Sequence, residues 1–398
     1  MSRRATGSGA AVTAGFLGWT LDAFDYFLVV FCLTAIAKEF GKSDSAVASS
    51  LAITLAFRPV GAFLFGLLAD RYGRRLPLMI DLIFYSLVEV ATGFAPNFTS
   101  FLVLRALFGI GMGGEWGVGA SLAMEKVPPR WRGVLSGLLQ QGYALGYLLA
   151  AVAYPLVFPR FGWRPLFFLG GLPALLALFV RYRVSESEVW AQSKRAGWSE
   201  LGKTLAGYWK LFLYLVLLMT GMNLSSHGTQ DMYPTFLQRF WHFGTTERSL
   251  ITAISMVGAL AGGVTIGLAS DRLGRRRTVA WSLVAAILIV PLWAYAPHVG
   301  WLIAGAFLIQ FFVQGAWGVI PAHLSELSPN EIRGFLPGFA YQCGALLAGS
   351  VGAFEAMLSR HISYASAMAV TAAAVFALTI VLIRVGPERC GVDFAKLN

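Results

Sequence analysis

The sequence predicts an all-α integral membrane protein whose twelve transmembrane helices form two six-helix bundles. Three observations predict it. Hydrophobic residues make up 57% of the 398 and charged residues only 13%, where soluble domains carry about a quarter charged. Twelve apolar stretches of about 20 residues are each long enough to cross a ~30 Å hydrocarbon core as a helix. A set of short motifs also recurs at a constant spacing of 201 residues, the mark of two homologous halves. The spans are expected near 14–37, 46–69, 76–95, 98–122, 134–157, 163–181, 209–237, 248–270, 278–296, 299–322, 334–357 and 363–385.

Span 1 follows a Met-Ser-Arg-Arg start with no apolar signal core or small-residue cleavage site, so it is expected to be retained. It carries two acids. Asp25, near the bilayer midplane, is a candidate proton carrier, and Asp22, shallower, reads as a packing or gating group. Span 2 carries Arg58 twelve residues in, roughly 18 Å deep at ~1.5 Å per residue. A buried Arg needs a partner, and its planar fork suits a carboxylate. A substrate anion or Asp231 is expected there, the alternative being a permanent salt bridge to Asp231 or Asp25.

Span 2 ends in Gly66-Leu-Leu-Ala-Asp70-Arg71-Tyr-Gly73-Arg74-Arg75, and span 8 ends in Gly267-Leu-Ala-Ser-Asp271-Arg272-Leu-Gly274-Arg275-Arg276. The same spacing relates Trp116 to Trp317, Glu125 to Glu326, Arg132-Gly133 to Arg333-Gly334 and Gly137 to Gly338. Six spans per half give both repeats one membrane orientation, which suits bundles related by an axis along the membrane normal. Asp81 and Glu89 in span 3 read as bridges to neighbouring helices or to water, with no assigned role. Arg105 and Glu115 in span 4 are too far apart to share a helix face, so each needs a partner on another helix. Gly109-Ile-Gly111-Met-Gly113-Gly114 satisfies a dinucleotide-binding pattern, but it lies inside an apolar span without a βαβ unit. Gly109, Gly113 and Gly117 instead form a close-packing face.

Residues 1–181 are thus the first bundle, 182–208 a polar linker with Ser185, Glu186, Glu188, Lys194, Arg195, Glu200 and Lys203, and 209–398 the second bundle. Span 7 opens the second bundle with Asn223-Leu-Ser-Ser-His-Gly-Thr-Gln-Asp-Met-Tyr-Pro-Thr235. Asn223, His227 and Asp231 recur every four residues and share one helix face. Such groups in hydrocarbon face a bundle interior or a wet path. The other reading is a hydrogen-bonded knot between helices, aided by Pro234, which frees the carbonyl of Gln230.

The net charge of +11 follows from topology rather than from nucleic-acid binding. With the N-terminus in the cytoplasm, 22 of the 31 Lys and Arg fall on cytoplasmic connections and tails, 7 on the others, and Arg58 and Arg105 within spans. This is the positive-inside pattern, so both termini are expected in the cytoplasm and the basic face against anionic lipid. Cys32, Cys343 and Cys390 show no paired spacing, so neither a disulfide nor a metal site is expected.

The paired Gly-x-x-x-Asp-Arg-x-Gly-Arg-Arg loops in a twelve-span chain resemble the major facilitator superfamily over nearly the whole sequence. That resemblance implies alternating access, with Gly66, Asp70, Arg71, Gly73, Arg74 and Gly267, Asp271, Arg272, Gly274, Arg275 forming cytoplasmic gating loops. Gly18-Trp-Thr-Leu-Asp22-Ala-Phe-Asp25-Tyr-Phe and Gly113-Gly114-Glu115-Trp116-Gly-Val-Gly119 resemble the sialate and carboxylate proton symporters within it. Span 7 is similar, nearly residue for residue, to the signature of fungal lactate permeases, with Thr229 where those usually have Ser. The resemblance implies monocarboxylate and proton symport, with Arg58, Asn223, His227 and Asp231 as functional residues.

The expectation is therefore an importer of lactate, pyruvate or similar acids in the cytoplasmic membrane, acting as a monomer without cofactor or metal. Co-transport of one proton would cancel the anion's charge, which otherwise costs ~2.3 kcal/mol per 100 mV. Arg58 would bind the carboxylate, while Asn223, Ser226 and Gln230 orient its other oxygens. His227, Asp231, Asp25 and Glu115 all remain candidates for the coupling proton. A larger acid such as a sialic or aromatic acid is the nearest rival. A non-transporting sensor is the rival of another class. An enzyme is disfavoured because no catalytic constellation is present.

Overall fold

The computed structural model describes residues 3–192 and 197–396. Lys194 and Arg195 of the linker lie outside the described residues. Spans 1 to 4 are single helices, Arg3–Glu39, Asp44–Tyr72, Arg75–Gly93 and Phe98–Lys126. Ser43 caps span 2 by accepting from the Ala46 N–H, and Asn97 with Ser100 forms a capping box on span 4. Spans 8, 9, 10 and 12 are Thr245–Leu273, Arg275–Ala294, Val299–Leu327 and Tyr364–Val385.

The other four spans are interrupted, which periodicity alone did not indicate. Span 5 is Arg132–Gln140 followed by Gly142–Phe161, and span 6 is Arg164–Leu169 followed by Pro173–Arg183. Span 7 runs Trp209–Gln230, breaks at Asp231 and Met232, and resumes as Tyr233–Arg239. Pro173 and Pro234 each sit in the first turn of the second piece, where a missing N–H is tolerated while the preceding helix cannot continue. Span 11 divides at Gly349 and Ser350 into Leu336–Ala348 and Val351–Leu358. Among the described residues, eleven elements are long and apolar enough to cross a membrane, and the divided span 11 supplies the twelfth crossing. Large apolar side chains such as Leu87, Leu156, Leu288 and Val381 stand exposed on the outer faces, as a lipid-facing surface requires.

The two halves join at the end that carries the basic loops. Asp70 accepts from the Gly334 and Phe335 N–H groups at 2.7 and 3.0 Å. Its repeat counterpart Asp271 accepts from the Gly133 and Val134 N–H groups at 2.7 and 3.2 Å. Each aspartate thus receives the start of a helical segment in the opposite half, where free N–H groups favour an anion.

A second pair of symmetric contacts lies behind these. Glu125 meets Arg74 at 3.0 Å and, across the halves, Arg333 at 3.6 Å. Glu326 meets Arg275 at 2.9 Å and, across the halves, Arg132 at 3.0 Å. The Phe394 ring from the C-terminal segment lies 3.8 Å from both the Arg132 and the Arg333 guanidinium centres.

Glycine lets the backbones approach. A Cβ on Gly117 would stand 2.6 Å from the Gly338 Cα, and one on Gly338 2.8 Å from the Gly117 Cα. Gly73 and Gly274 close their helices at φ +100° and +89°, a region that residues with a Cβ rarely enter. The linker seals the first loop. Glu186 accepts from the Arg74 and Arg75 N–H groups, and Trp190 donates to the Asp70 carbonyl at 2.8 Å. These hydrogen bonds and ion pairs join the halves at the end that carries the basic loops, so the structure is closed at its basic end.

Candidate functional site

Above the closed end, Arg58 of span 2 lies in a cluster of aromatic rings supplied by spans 1, 4, 5, 10 and 11. The guanidinium centre lies 5.9 Å from the Trp19 ring and 5.6 Å from the Tyr341 ring. Tyr143 stacks on Trp19 at 5.5 Å, while Trp116 and Trp317 meet Tyr341 at 4.6 and 5.6 Å. These contacts orient the cation and shield it from bulk water. Arg58 is 6% exposed, and its Nε and Nη2 have no hydrogen-bond partner. Neither Asp231 nor Asp25 forms an ion pair with it. The fork is therefore held by the rings and by a hydrogen bond to Tyr341, with two donors left open, which suits an anion brought from outside.

Span 7 lies on the other side of the same space. Tyr26 and Tyr143 are within electrostatic reach of both Arg58 and Asp231. His227 Nδ1 and the Asp231 carboxylate are 3.2 Å apart, with side chains 38% and 48% exposed. Both side chains are thus open to the surroundings, in contrast to the buried Arg58.

The remaining span 7 candidates are engaged inside their own half. Asn223 is buried and donates to the Met219 carbonyl at 2.7 Å. Ser226 accepts from Gln314 at 2.8 Å, and Gln230 donates to the Gln310 side-chain oxygen at 2.8 Å. Gln310 also donates to the Thr229 hydroxyl at 3.1 Å. These bonds tie span 7 to span 10, so the hydrogen-bonded knot and the polar stripe coexist. A cavity of about 40 Å³ behind Gln230 and Gln310 has room for a water-sized molecule only.

Asp25 and Glu115 stand apart from His227 and Asp231, inside the first half. Asp22, Asp25, Asp81, Glu89 and Glu115 are all fully buried. Arg105 pairs with Glu89 and donates to Thr92 at 2.9 Å. Both oxygens of Asp22, Asp25, Asp81 and Glu115 lack a hydrogen-bond partner. The Glu115 carboxyl lies against Gly18, where any side chain would overlap it. Glu89 thus bridges as expected, whereas Asp81 faces other acids rather than a partner helix's donor or water. An unpaired carboxyl buried this way is costly to ionise, and four of them share the interior of the first half.

Three side chains escaped sequence reasoning. Tyr341 of span 11 is buried beside Arg58, and the next residue, Gln342, is buried with neither polar atom of its amide partnered. Glu355, on the outer piece of the same span, is likewise buried and unpartnered. No local motif marks them. Only the rotation of span 11 about its axis, a tertiary property, brings them inward.

The model of the Major Facilitator Superfamily matches residues 15–244, and that described as Sugar (and other) transporter matches residues 198–387. A probable 4-methylmuconolactone transporter from Cupriavidus pinatubonensis is 32% identical, the match covering 97% of this chain and 92% of that one. A carboxylic acid transporter protein homolog from Saccharomyces cerevisiae is 28% identical over 96% of this chain and 68% of its own length. The solved structure of the proton:xylose symporter XylE superposes with a TM-score of 0.79 at 20% identity, covering 99% of each chain, a likeness of fold.

Proposed function

This chain belongs to the major facilitator superfamily, and from that premise we propose that it carries small monocarboxylates together with a proton by alternating access. The chain is a multi-pass membrane transporter of carboxylic or similar organic acids and not an enzyme. The observation that carries the finer reading is Arg58, a buried guanidinium with two unpaired donors. A carboxylate is the ligand whose geometry matches that fork.

In this reading Arg58 takes the carboxylate while Tyr341 and Trp19 hold it in register. The Gln342 amide and the Ser226, Gln230, Gln310 and Gln314 network meet the hydroxyl or keto oxygen, with Asn223 fixing the helix behind them. His227 and Asp231 sense occupancy from the open side. Asp25 and Glu115 hold protons in the chamber behind span 1. Binding of the anion near Arg58 alters the field on Asp22, which lies within electrostatic reach of the same guanidinium, and so links the two ligands.

The two Asp latches release and re-form as the halves rock, with both termini and the basic loops on the cytoplasmic side of the cytoplasmic membrane. No cofactor or metal is needed, since the proton is the coupling ion. A single chain supplies both halves, and the monomer is the working unit.

A second reading keeps the fold and enlarges the substrate. It is favoured by the muconolactone relative, whose 32% identity exceeds the 28% of the carboxylic acid relative. The two readings separate by competition in proteoliposomes. Labelled lactate uptake under an inward proton gradient should saturate, and pyruvate or propionate should block it while sialate and muconolactone do not. Block by the larger acids, with no lactate uptake, would favour the second reading.

A further inference from the structure

Glu355 sits where two interrupted helices meet. It lies on Val351–Leu358, the outer piece of span 11, and packs against span 7 just before that helix breaks at Asp231 and Met232. Its side chain is 2% exposed and neither carboxyl oxygen has a hydrogen-bond partner. Glu355 Oε1 is 3.3 Å from the point where a side chain on Gly228 would begin, so the absence of one there leaves the carboxyl against the span 7 backbone.

Asp231, three residues on from Gly228 along span 7, is the charged group within electrostatic reach of Glu355. From span 12 the titratable neighbour is Tyr364, whose hydroxyl donates to the Met232 carbonyl at 3.3 Å. No ion pair to Glu355 occurs among the described residues. Asp231 in turn contacts His227 at 3.2 Å. A buried acid, a half-exposed acid and a half-exposed imidazole thus form a row from the interior of the second half to the open face. Unpaired and shielded from water, Glu355 is accommodated as the neutral acid, and two adjacent carboxyls hold one proton between them more readily than none.

We propose that Glu355 is a proton-carrying residue of the second half, passing its proton to Asp231 when the outer pieces of spans 7 and 11 shift during the transport cycle. The O–H bond of Glu355 breaks as one forms on the Asp231 carboxylate, which leaves Glu355 ionised and conserves charge. Return of the proton from the open side by way of His227 and Asp231 resets it. This role rests on the reading of the chain as a proton-coupled acid transporter and adds a residue to its coupling path.

Glu355→Gln keeps the shape and removes the titrating group. In proteoliposomes, lactate counterflow, an exchange with no net proton movement, should stay within about twofold of the unaltered protein, while accumulation driven by a proton gradient should fall at least tenfold. Glu355→Asp, which retains an acid one methylene shorter, should recover part of that accumulation. Normal accumulation by Glu355→Gln, or equal loss of counterflow and accumulation in both variants, would overturn the proposal. If the unaltered protein shows no lactate counterflow, the transport reading fails and the role of Glu355 with it, a result distinct from either of those.

Discussion

Arg58→Ala is expected to abolish saturable uptake, raising the KM for lactate by about 100-fold or more. Truncating one side of a buried charge-assisted pair costs about 2–5 kcal/mol, and each ~1.4 kcal/mol is tenfold in affinity. The upper part of that range applies because Arg58 has two donors free for one carboxylate and is only 6% exposed. Arg58→Lys keeps the charge without the fork, so it should retain part of the binding, with a loss of roughly tenfold. If Arg58 served only to pack between Trp19 and Tyr341, Arg58→Ala would lower thermal stability by the ~0.5–2 kcal/mol of the lost cation–π contacts, Arg58→Lys by less, and both would leave the KM unchanged. Thermal unfolding and substrate titration on the same samples separate these outcomes.

Asp70→Asn and Asp271→Asn are each expected to weaken the closed basic end by about 1.5–3 kcal/mol, the usual worth of hydrogen bonds to a charged group. Each aspartate accepts from two backbone N–H groups of the opposite half. An asparagine side chain offers one acceptor and turns a donor toward the second N–H. It also removes a charge from Arg74 or Arg275, which stay buried beside Glu125 or Glu326. The two-state equilibrium should then move by about 10- to 150-fold toward opening at this end. Spin labels at Tyr72 and Leu273, both more than half exposed, in a background without Cys32, Cys343 and Cys390 would read the change as a longer distance. The double variant should shift furthest, and Phe394→Ala, which removes the ring between Arg132 and Arg333, should act in the same direction. Distances unchanged in all of these variants would mean that the latches do not set the conformation.

The latches were legible in the sequence because they are local motifs repeated at one spacing, so the position of Asp70 fixed what to expect of Asp271. The partners of these aspartates were less legible, since Gly334 and Gly133 lie far away in the chain. Span 7 announced itself by polar residues on one helix face. What it did not disclose was that Ser226 and Gln230 are already bonded to Gln314 and Gln310, which depends on the rotation of span 10.

Arg58 was recognisable as a buried cation needing a partner. That it lies among rings from spans 1, 4, 5, 10 and 11 rather than against Asp25 or Asp231 is a tertiary outcome that no single stretch of sequence shows. The break in span 11 has no proline to mark it, and Gly349 with Ser350 is too weak a signal to divide an apolar stretch on its own. Glu355 therefore read as one more residue of a continuous span. Asp81 was set aside because a lone acid on an apolar helix has many structural uses. Only the convergence of spans 1, 3 and 4 shows how many acids share that interior.

The central claim is that a proton crosses with each carboxylate bound at Arg58. In weakly buffered proteoliposomes with no imposed gradient, lactate added outside should alkalinise the external medium in step with labelled lactate entry. Propionate should do the same, and Arg58→Ala should show neither flux. Lactate entry without a matching pH change would contradict coupling, and equal fluxes through Arg58→Ala would contradict the site.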